Sequence, residues 1–231
     1  MLIENVVAPY FGTNCWIIAS ARANECLIVD PGIGSTPPML DLIRTAVNRH
    51  NLKPVAALLT HGHLDHTFSI VPLADHYGIP ALIHPSDRPL LKDPWRALTP
   101  GGESSQIMAN FGVTEFFEPQ LVTEVLDGQS IDIAGISLTV LHSPGHTRGS
   151  VMFVAGESHL ISGDVLFHGA IGRTDLPMGS ETSMVSTLRN KVLTQPDGLI
   201  VLPGHGPQTT IGRERKNNPY LRENFLNGKR P

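Results

Sequence analysis

The stretch THGHLDHTFS, Thr60 to Ser69, decides the fold prediction, because it places three histidines and an aspartate directly after an apolar segment. The preceding KPVAALL carries no charge after Lys53 and is typical of a buried β-strand. Crowded imidazoles repel one another once they are protonated, so their clustering needs a compensating partner. A divalent metal ion is such a partner, since imidazole and carboxylate both ligate it. The stretch therefore predicts one half of a metal site, formed by His61, His63, Asp65 and His66.

Three further candidate ligands follow predicted strands in the second half of the chain. The segments LTVLHSPGHTRGS, HLISGDVLF and LIVLPGHGPQTT each contain a strand that ends in a glycine-containing turn. Glycine lets the backbone bend sharply and approach other groups closely. Residues at the ends of packed strands can converge on one sheet edge even when they are far apart in sequence. The residues directly after these glycines are His146, Asp164 and His205.

Seven ligands exceed the usual four of a tetrahedral zinc site and predict two metal ions that share a ligand. The first ion would be held by His61, His63 and His146. The second would be held by Asp65, His66 and His205. Asp164, with two carboxylate oxygens, would bridge the two ions. The local spacing fits this division, because the first two histidines alternate as in an extended segment whereas Asp65 and His66 begin the following helix.

Composition and charge limit the other classes of function. The chain has 231 residues, a net charge of −4 and a pI of about 6.2, so no basic field favours nucleic acid or an anionic membrane as partner. No apolar run reaches the roughly 18 residues of a membrane span, and MLIENVVAPYFG does not resemble a signal peptide. Two cysteines, Cys15 and Cys26, do not form a disulfide framework. We therefore expect a cytoplasmic, reduced protein.

Strands and helices alternate in the first half, which is typical of an α/β sheet. Helices are predicted over residues 37–50, 67–77 and 180–193, and over parts of 211–226 with an interruption at Pro219. Strand runs in both halves, each followed by helices, predict two sheets packed face to face with helices outside. We expect one domain over residues 1–231, with a cap segment around 86–125 and a short C-terminal helical tail.

The motifs THGHLDH, SPGHTRGS, SGDVLF and PGHG resemble the successive metal motifs of the metallo-β-lactamase superfamily. GRTDLP and TTIGRERKNNPYL resemble its glyoxalase II-type (hydroxyacylglutathione hydrolase-type) enzymes, most closely the short bacterial branch. The resemblance extends from Asp30 to Tyr220. It implies an αββα sandwich and a two-metal hydrolase, and the ligands of the family fall on the seven positions named above.

The resemblance also implies a reaction. A hydroxyacyl thioester such as S-D-lactoylglutathione would be cleaved to a hydroxy acid and a thiol by a metal-bridging hydroxide, with Asp65 as both ligand and proton acceptor. Zinc is favoured, and iron and manganese are alternatives. A lysine of the family that contacts the thiol falls at Arg173, whereas the tyrosine after the last histidine is replaced by Gly206. We expect a small-molecule substrate and a monomer or homodimer.

Alternative functions on the same fold remain open. A persulfide dioxygenase would use one iron held by two histidines and an aspartate, but such enzymes carry PAHDY where this chain has PGHGP. The best-known β-lactamase subclass places a cysteine at the position of Asp164. A lactonase is a further alternative, whereas a nuclease would need basic surface and extra domains. Asp30 is either a partner that orients a histidine ligand or simply the first residue of a turn.

Overall fold

A computed structural model describes residues 1–34, 36–98, 113 and 115–228 of the chain. The first of two six-stranded sheets contains, in spatial order, β1 (Leu2–Val7), β2 (Asn14–Ala19), β3 (Glu25–Val29), β4 (Lys53–Leu58), β5 (Ala81–Ile83) and β6 (Val122–Glu124). Strands β1 to β3 pair antiparallel and β3 to β6 pair parallel. The carboxyl ends of the parallel strands therefore meet at one edge, which is where α/β sheets usually carry their sites.

The second sheet has the spatial order β14-β13-β10-β9-β8-β7. Its strands are β7 (Ser130–Ile133), β8 (Ile136–His142), β9 (Val151–Ala155), β10 (His159–Gly163), β13 (Ile200–Pro203) and β14 (Thr209–Thr210). A separate hairpin, β11 (Leu166–Phe167) and β12 (Ala170–Ile171), lies between β10 and β13 in the sequence. Because β10 and β13 are parallel, the residues after them share one edge of the sheet.

The helices flank the sheets. They are α1 (Met39–Arg49), α2 (Leu64–Thr67), α3 (Ile70–Tyr77), α4 (Glu181–Thr187), α5 (Ile211–Asn217) and α6 (Glu223–Leu226). A π-helical turn, Leu188–Val192, continues α4, and 3₁₀ turns span Arg88–Leu91, Pro94–Ala97 and Pro219–Leu221. Helix α4 begins at an N-cap, where the Ser180 side chain accepts a hydrogen bond from the Ser183 backbone N–H.

Alternating side chains of β2 show how the layers are joined. Trp16 and Ile18 lie in the apolar cluster between the two sheets, together with Val140 and Phe153 of the second sheet. Ile17 points to the opposite face, into a cluster shared with α1 and α3. The outer face of the second sheet packs against α4, α5 and α6 in a third cluster. The described residues thus form an αββα sandwich, and the predicted fold class is confirmed.

Some predicted boundaries differ from the structure. The helix expected over 67–77 is two helices, α2 and α3, and the helix expected over 180–193 changes to π-helical geometry after Thr187. The cap segment predicted around 86–125 falls partly on 99–112 and 114, which lie outside the described residues. No helix in the described ranges is long and apolar enough to span a membrane.

The motif TTIGRERKNNPYL places a buried carboxylate beneath the β11–β12 hairpin. Glu214 Oε2 accepts hydrogen bonds from the Gly169 backbone N–H (2.7 Å) and from Asn218 Nδ2 (2.9 Å). Glu214 Oε1 accepts a hydrogen bond from Thr209 Oγ1 (2.6 Å). The motif thereby attaches the hairpin, with Phe167 on it, to β14 and α5.

This carboxylate gives the stability of the protein a dependence on pH. Burial acts to raise the pKa of Glu214, but hydrogen bonds from Thr209, Gly169 and Asn218 outweigh it and hold the pKa below its ordinary value. A depressed folded-state pKa contributes stability that is present above the unfolded pKa, about 4.3, and is lost as the pH falls through the folded pKa.

We expect Glu214→Gln to lower the free energy of unfolding by about 2 kcal/mol at neutral pH, because a buried donor loses its charged acceptor. The difference from the wild type should shrink as the pH falls below about 4. Urea unfolding at several pH values measures both quantities. A difference that stays constant with pH would mean that packing, rather than charge, is what the substitution removes.

Candidate metal centre

The seven predicted ligands converge on the edge shared by the two sheets. His61 and His63 lie in the loop after β4, and Asp65 and His66 lie on α2. The other three follow strands of the second sheet: His146 comes after β8, Asp164 after β10 and His205 after β13. Three groups among them have candidate ligand atoms within 4.8 Å of one another. Their members are His61, His63 and His146; His61, His66 and Asp164; and Asp65, His66 and His205.

The two predicted ligand sets are recognisable in the distances. In the first, His63 Nδ1 lies 2.8 Å from His146 Nε2. In the second, His205 Nε2 lies 3.2 Å from His66 Nε2 and 3.3 Å from Asp65 Oδ2. Pairs of imidazole nitrogens this close, with their rings nearly perpendicular, are the arrangement expected of ligands that point at a common centre.

Asp164 lies between the two sets. Its Oδ1 is 3.4 Å from His66 Nε2, and its Oδ2 is 3.5 Å from His146 Nε2 and 3.6 Å from His205 Nε2. The carboxylate therefore faces ligand atoms of both sets, as a bridging ligand would.

Hydrogen bonds fix which nitrogen three of the histidines present to the centre. The Thr60 hydroxyl donates its proton to Asp30 Oδ2 (2.7 Å), so it accepts one from His61 Nδ1 (3.0 Å). His66 Nδ1 donates to Asp30 Oδ2 (2.9 Å). Both imidazoles are left with Nε2 as the ligand atom. Of the two interpretations of Asp30, the structure supports the orienting role.

A backbone carbonyl orients the third histidine. His146 Nδ1 donates to the Arg173 carbonyl oxygen over 2.7 Å. Sequence reasoning did not predict this contact, because a carbonyl group carries no residue-specific signal. The Arg173 side chain is exposed and forms a two-bonded ion pair with Asp175, at 2.8 and 2.9 Å. It lines the cavity above the centre.

The donor set fits a divalent metal ion. Within the described part of the chain, three buried side-chain atoms have no hydrogen-bond partner, and all belong to the seven residues: His61 Nε2, His63 Nε2 and Asp164 Oδ1. Buried polar atoms are normally satisfied, and two of these, His61 Nε2 and Asp164 Oδ1, are the ligand atoms that a cation would satisfy, whereas His63 faces its neighbour His146 through Nδ1. Burial lowers the pKa of His61 and of His63, the latter to about 3, and the neighbouring imidazoles add to the effect. These two side chains are neutral, as metal ligands must be.

The carboxylates raise the pKa of one histidine in the second set. Burial acts to lower the pKa of His66, but Asp164, Asp65 and Asp30 outweigh it and raise that pKa to about 10. In the ion-free protein this imidazole therefore carries a proton, which an incoming metal ion must displace.

Two of the glycines that precede ligands are required by the geometry. Gly145 has a φ of +146°, and a Cβ there would lie 2.5 Å from Met184 Cα. A Cβ on Gly204 would lie 2.1 Å from Asp164 Oδ1 and 2.7 Å from His66 Cε1. The glycines let strand ends approach the centre more closely than any side chain permits, as the sequence analysis predicted.

A cavity of about 590 Å³ opens above the ligands. Its polar floor contains members of both ligand sets, and its wall is mostly apolar. The apolar wall residues are Phe11, Ile33, Leu64, Leu98, Phe167 and Leu176. They were not predicted from the sequence, because they come from separate segments and share no local pattern. The cavity can accommodate a small organic substrate beside the metal centre.

Two packed sheets with a His/Asp cluster at their shared edge define the class of αββα metal-site proteins. The chain belongs to the metallo-beta-lactamase superfamily, whose family model matches residues 8–205. The class predicted from the motifs is thereby confirmed.

Relatives extend over almost the whole chain. An uncharacterized protein of Mycobacterium tuberculosis is 41% identical over 228 residues, covering 96% of this chain and 98% of the relative. Hydroxyacylglutathione hydrolase GloC of Haemophilus influenzae is 33% identical over 223 residues, with 96% and 98% covered. The second match is consistent with the glyoxalase II-like branch.

Solved structures agree with the fold. BLEG-1 B3 metallo-beta-lactamase has a TM-score of 0.81 at 34% identity, covering 95% of this chain and 99% of that one. TTHA1623 in a di-iron-bound form has a TM-score of 0.76 at 30% identity, covering 94% and 100%. ETHE1 from Myxococcus xanthus has a TM-score of 0.75 at 21% identity, covering 98% and 89%, and supports the fold alone.

Proposed function

We propose that this protein is a dinuclear-metal hydrolase that cleaves hydroxyacyl thioesters of the S-D-lactoylglutathione type to a hydroxy acid and a thiol. The observation that carries the proposal is the position of Asp164 between two complete sets of His/Asp ligands. The identity to a hydroxyacylglutathione hydrolase supports the substrate class. We further propose a cytoplasmic location, supported by the buried, unpaired thiols of Cys15 and Cys26.

Each ligand set would hold one ion. His61, His63 and His146 would hold the first ion. Asp65, His66 and His205 would hold the second, with Asp164 shared between them. Divalent ions in such a site supply Lewis acidity and bring the pKa of a water molecule down to about 7. Zinc suits imidazole and carboxylate ligands, the di-iron form of TTHA1623 supports iron as an alternative, and manganese is a further one.

Asp65 would accept the proton of the attacking water. Burial acts to raise the pKa of Asp65, but His66 and His205 outweigh it and hold the pKa well below its ordinary value. The carboxylate is therefore ionised, as both of its proposed roles require: one oxygen would ligate the second ion and the other would accept the proton of the attacking water. Because the Asp65 side chain is 24% exposed, it can release that proton to solvent. A thiolate is a good leaving group, so no strong acid is needed opposite Asp65.

Arg173 is our candidate for contact with an anionic thiol such as glutathione. A charged hydrogen bond is worth about 1.5–3 kcal/mol, so Arg173→Ala should raise KM for S-lactoylglutathione about tenfold and leave kcat nearly unchanged. Asp175 competes for the same guanidinium, so Asp175→Ala should lower that KM. Steady-state kinetics test both variants.

A small uncharged thioester is the control for these two variants, and neither substitution should alter its KM. If Arg173→Ala lowers turnover of both substrates equally, the residue supports His146 through its carbonyl segment and does not bind the thiol.

β-Lactam hydrolysis is a second candidate, because the similar protein BLEG-1 is named as a B3 metallo-beta-lactamase. The persulfide dioxygenase is supported only by a fold likeness to ETHE1, and a lactonase by the shared fold. A substrate panel separates these functions: S-lactoyl thioesters, a β-lactam, a lactone and glutathione persulfide, each with the metal-loaded and the chelated protein. We expect the thioesters to give the highest kcat/KM. Faster turnover of the β-lactam or the persulfide would refute the proposal.

A further inference from the structure

Asp87 is a fully buried carboxylate between β5 and the 3₁₀ turn Arg88–Leu91. Its Oδ2 accepts hydrogen bonds from the Gly62 backbone N–H (2.9 Å) and from Thr147 Oγ1 (2.6 Å). Its Oδ1 accepts a hydrogen bond from the Gly149 backbone N–H (2.7 Å). Three donors on two oxygens satisfy a buried carboxylate, which would otherwise be costly to remove from water.

These donors come from the two loops that carry the first ligand set. Gly62 lies between His61 and His63, in the loop after β4 of the first sheet. Thr147 directly follows His146, in the loop between β8 and β9 of the second sheet. One side chain therefore connects the two sheets at the point where their histidines meet.

The loops are shaped to admit this carboxylate. A Cβ on Gly149 would lie 2.6 Å from Asp87 Oδ1, so only glycine permits the approach. A Cβ on Gly62 would lie 2.7 Å from Leu90 Cδ1 and 2.9 Å from the Asp87 carbonyl oxygen. On the other side, Thr147 Oγ1 is also 2.7 Å from Ser150 Oγ, which extends the network within the second loop.

We propose that Asp87 is a positioning residue that sets the spacing between the two histidine loops and thereby the geometry of the first metal site. The inference rests on the proposed metal centre, though not on its substrate. Asp87 does not contact the ion. It acts through the backbone on either side of the ligands, in the way that outer partners commonly tune metal affinity.

The test compares two buried carboxylates. Asp87→Asn replaces one acceptor oxygen with an NH₂ group that faces N–H donors, so the loops must move apart. Glu214→Gln is the matched control, because Glu214 is equally buried and accepts several hydrogen bonds, but from segments that carry none of the first set. Zinc affinity is measured by chelator competition in a His205→Ala background, so that the remaining ion reports the first set.

We expect Asp87→Asn to weaken zinc binding at the first set by about tenfold, the lower end for outer-partner substitutions. Glu214→Gln should leave that affinity unchanged, even if its thermal stability is as low as that of Asp87→Asn. In the ion-free protein, amide exchange at Gly62 and Gly149 should quicken in Asp87→Asn alone.

Three outcomes would overturn the inference: unchanged zinc affinity in Asp87→Asn, an equal loss in Glu214→Gln, or no zinc binding by the parent protein. The last would also remove the metal centre. A parent protein that binds zinc at the first set but hydrolyses no thioester would refute the proposed substrate, and the affinities would still decide the role of Asp87.

Discussion

Asp164→Ala should lose both metal ions and at least about a thousandfold in kcat/KM, since metal catalysis supplies several kcal/mol and about 1.4 kcal/mol is a factor of ten. The reason is the position of the carboxylate, whose oxygens lie 3.4 to 3.6 Å from nitrogens of His66, His146 and His205 in both ligand sets. His205→Ala removes one ligand of one set and should retain the first ion. Metal analysis of chelator-free protein, with about two equivalents expected in the wild type, measures the difference.

Treatment of the wild type with a chelator should reproduce the activity of Asp164→Ala, and added metal should restore the wild type alone. Equal metal losses in Asp164→Ala and His205→Ala would contradict the bridging role. If the wild type contains one equivalent of iron and consumes oxygen with persulfide as substrate, the protein is a persulfide dioxygenase and the proposed hydrolase function is wrong.

Much of this centre could be predicted from the sequence, because its information is local. His61, His63, Asp65 and His66 lie within six residues, and the structure brings them together on the loop after β4 and on the short helix α2. The other ligands follow glycines at the ends of apolar strands, a pattern visible without any tertiary contact. The continuous apolar run of β2 fits its burial on both faces, with Trp16 and Ile17 packing into opposite clusters.

The rest depends on contacts between distant segments. Asp87 is separated from Gly149 by 62 positions, and nothing around it distinguishes it from a turn-forming aspartate. The carbonyl of Arg173 orients His146 without contributing a side chain. The β11–β12 hairpin has strands of two residues each, too short for a periodic pattern. Such features follow from the packing of the two sheets and become visible only when the fold is known.

Gly204→Ala should abolish the metal centre although it adds a single methyl group next to a ligand. The new Cβ would lie 2.1 Å from Asp164 Oδ1 and 2.7 Å from His66 Cε1, inside the contact distance of both. The backbone cannot retreat easily, because Gly204 N–H donates to the Gly163 carbonyl (2.9 Å) and its own carbonyl accepts from Asn14 N–H (2.7 Å). The shared carboxylate must therefore move away from both ions.

We expect Gly204→Ala to lose most of its bound metal and at least about a hundredfold in kcat/KM, with overpacking lowering the free energy of unfolding by about 1–3 kcal/mol. Gly198→Ala, before the other end of β13, is the matched control, because its Cβ would meet nothing within 4 Å. It should keep its metal and gain about 0.4–1 kcal/mol of stability through the less flexible unfolded chain. Metal analysis, kinetics and urea unfolding of the two variants measure these differences. Full metal content in Gly204→Ala would mean that Asp164 has room to shift while still holding both ions. The close approach of β13 would then not be required for the geometry of the metal centre.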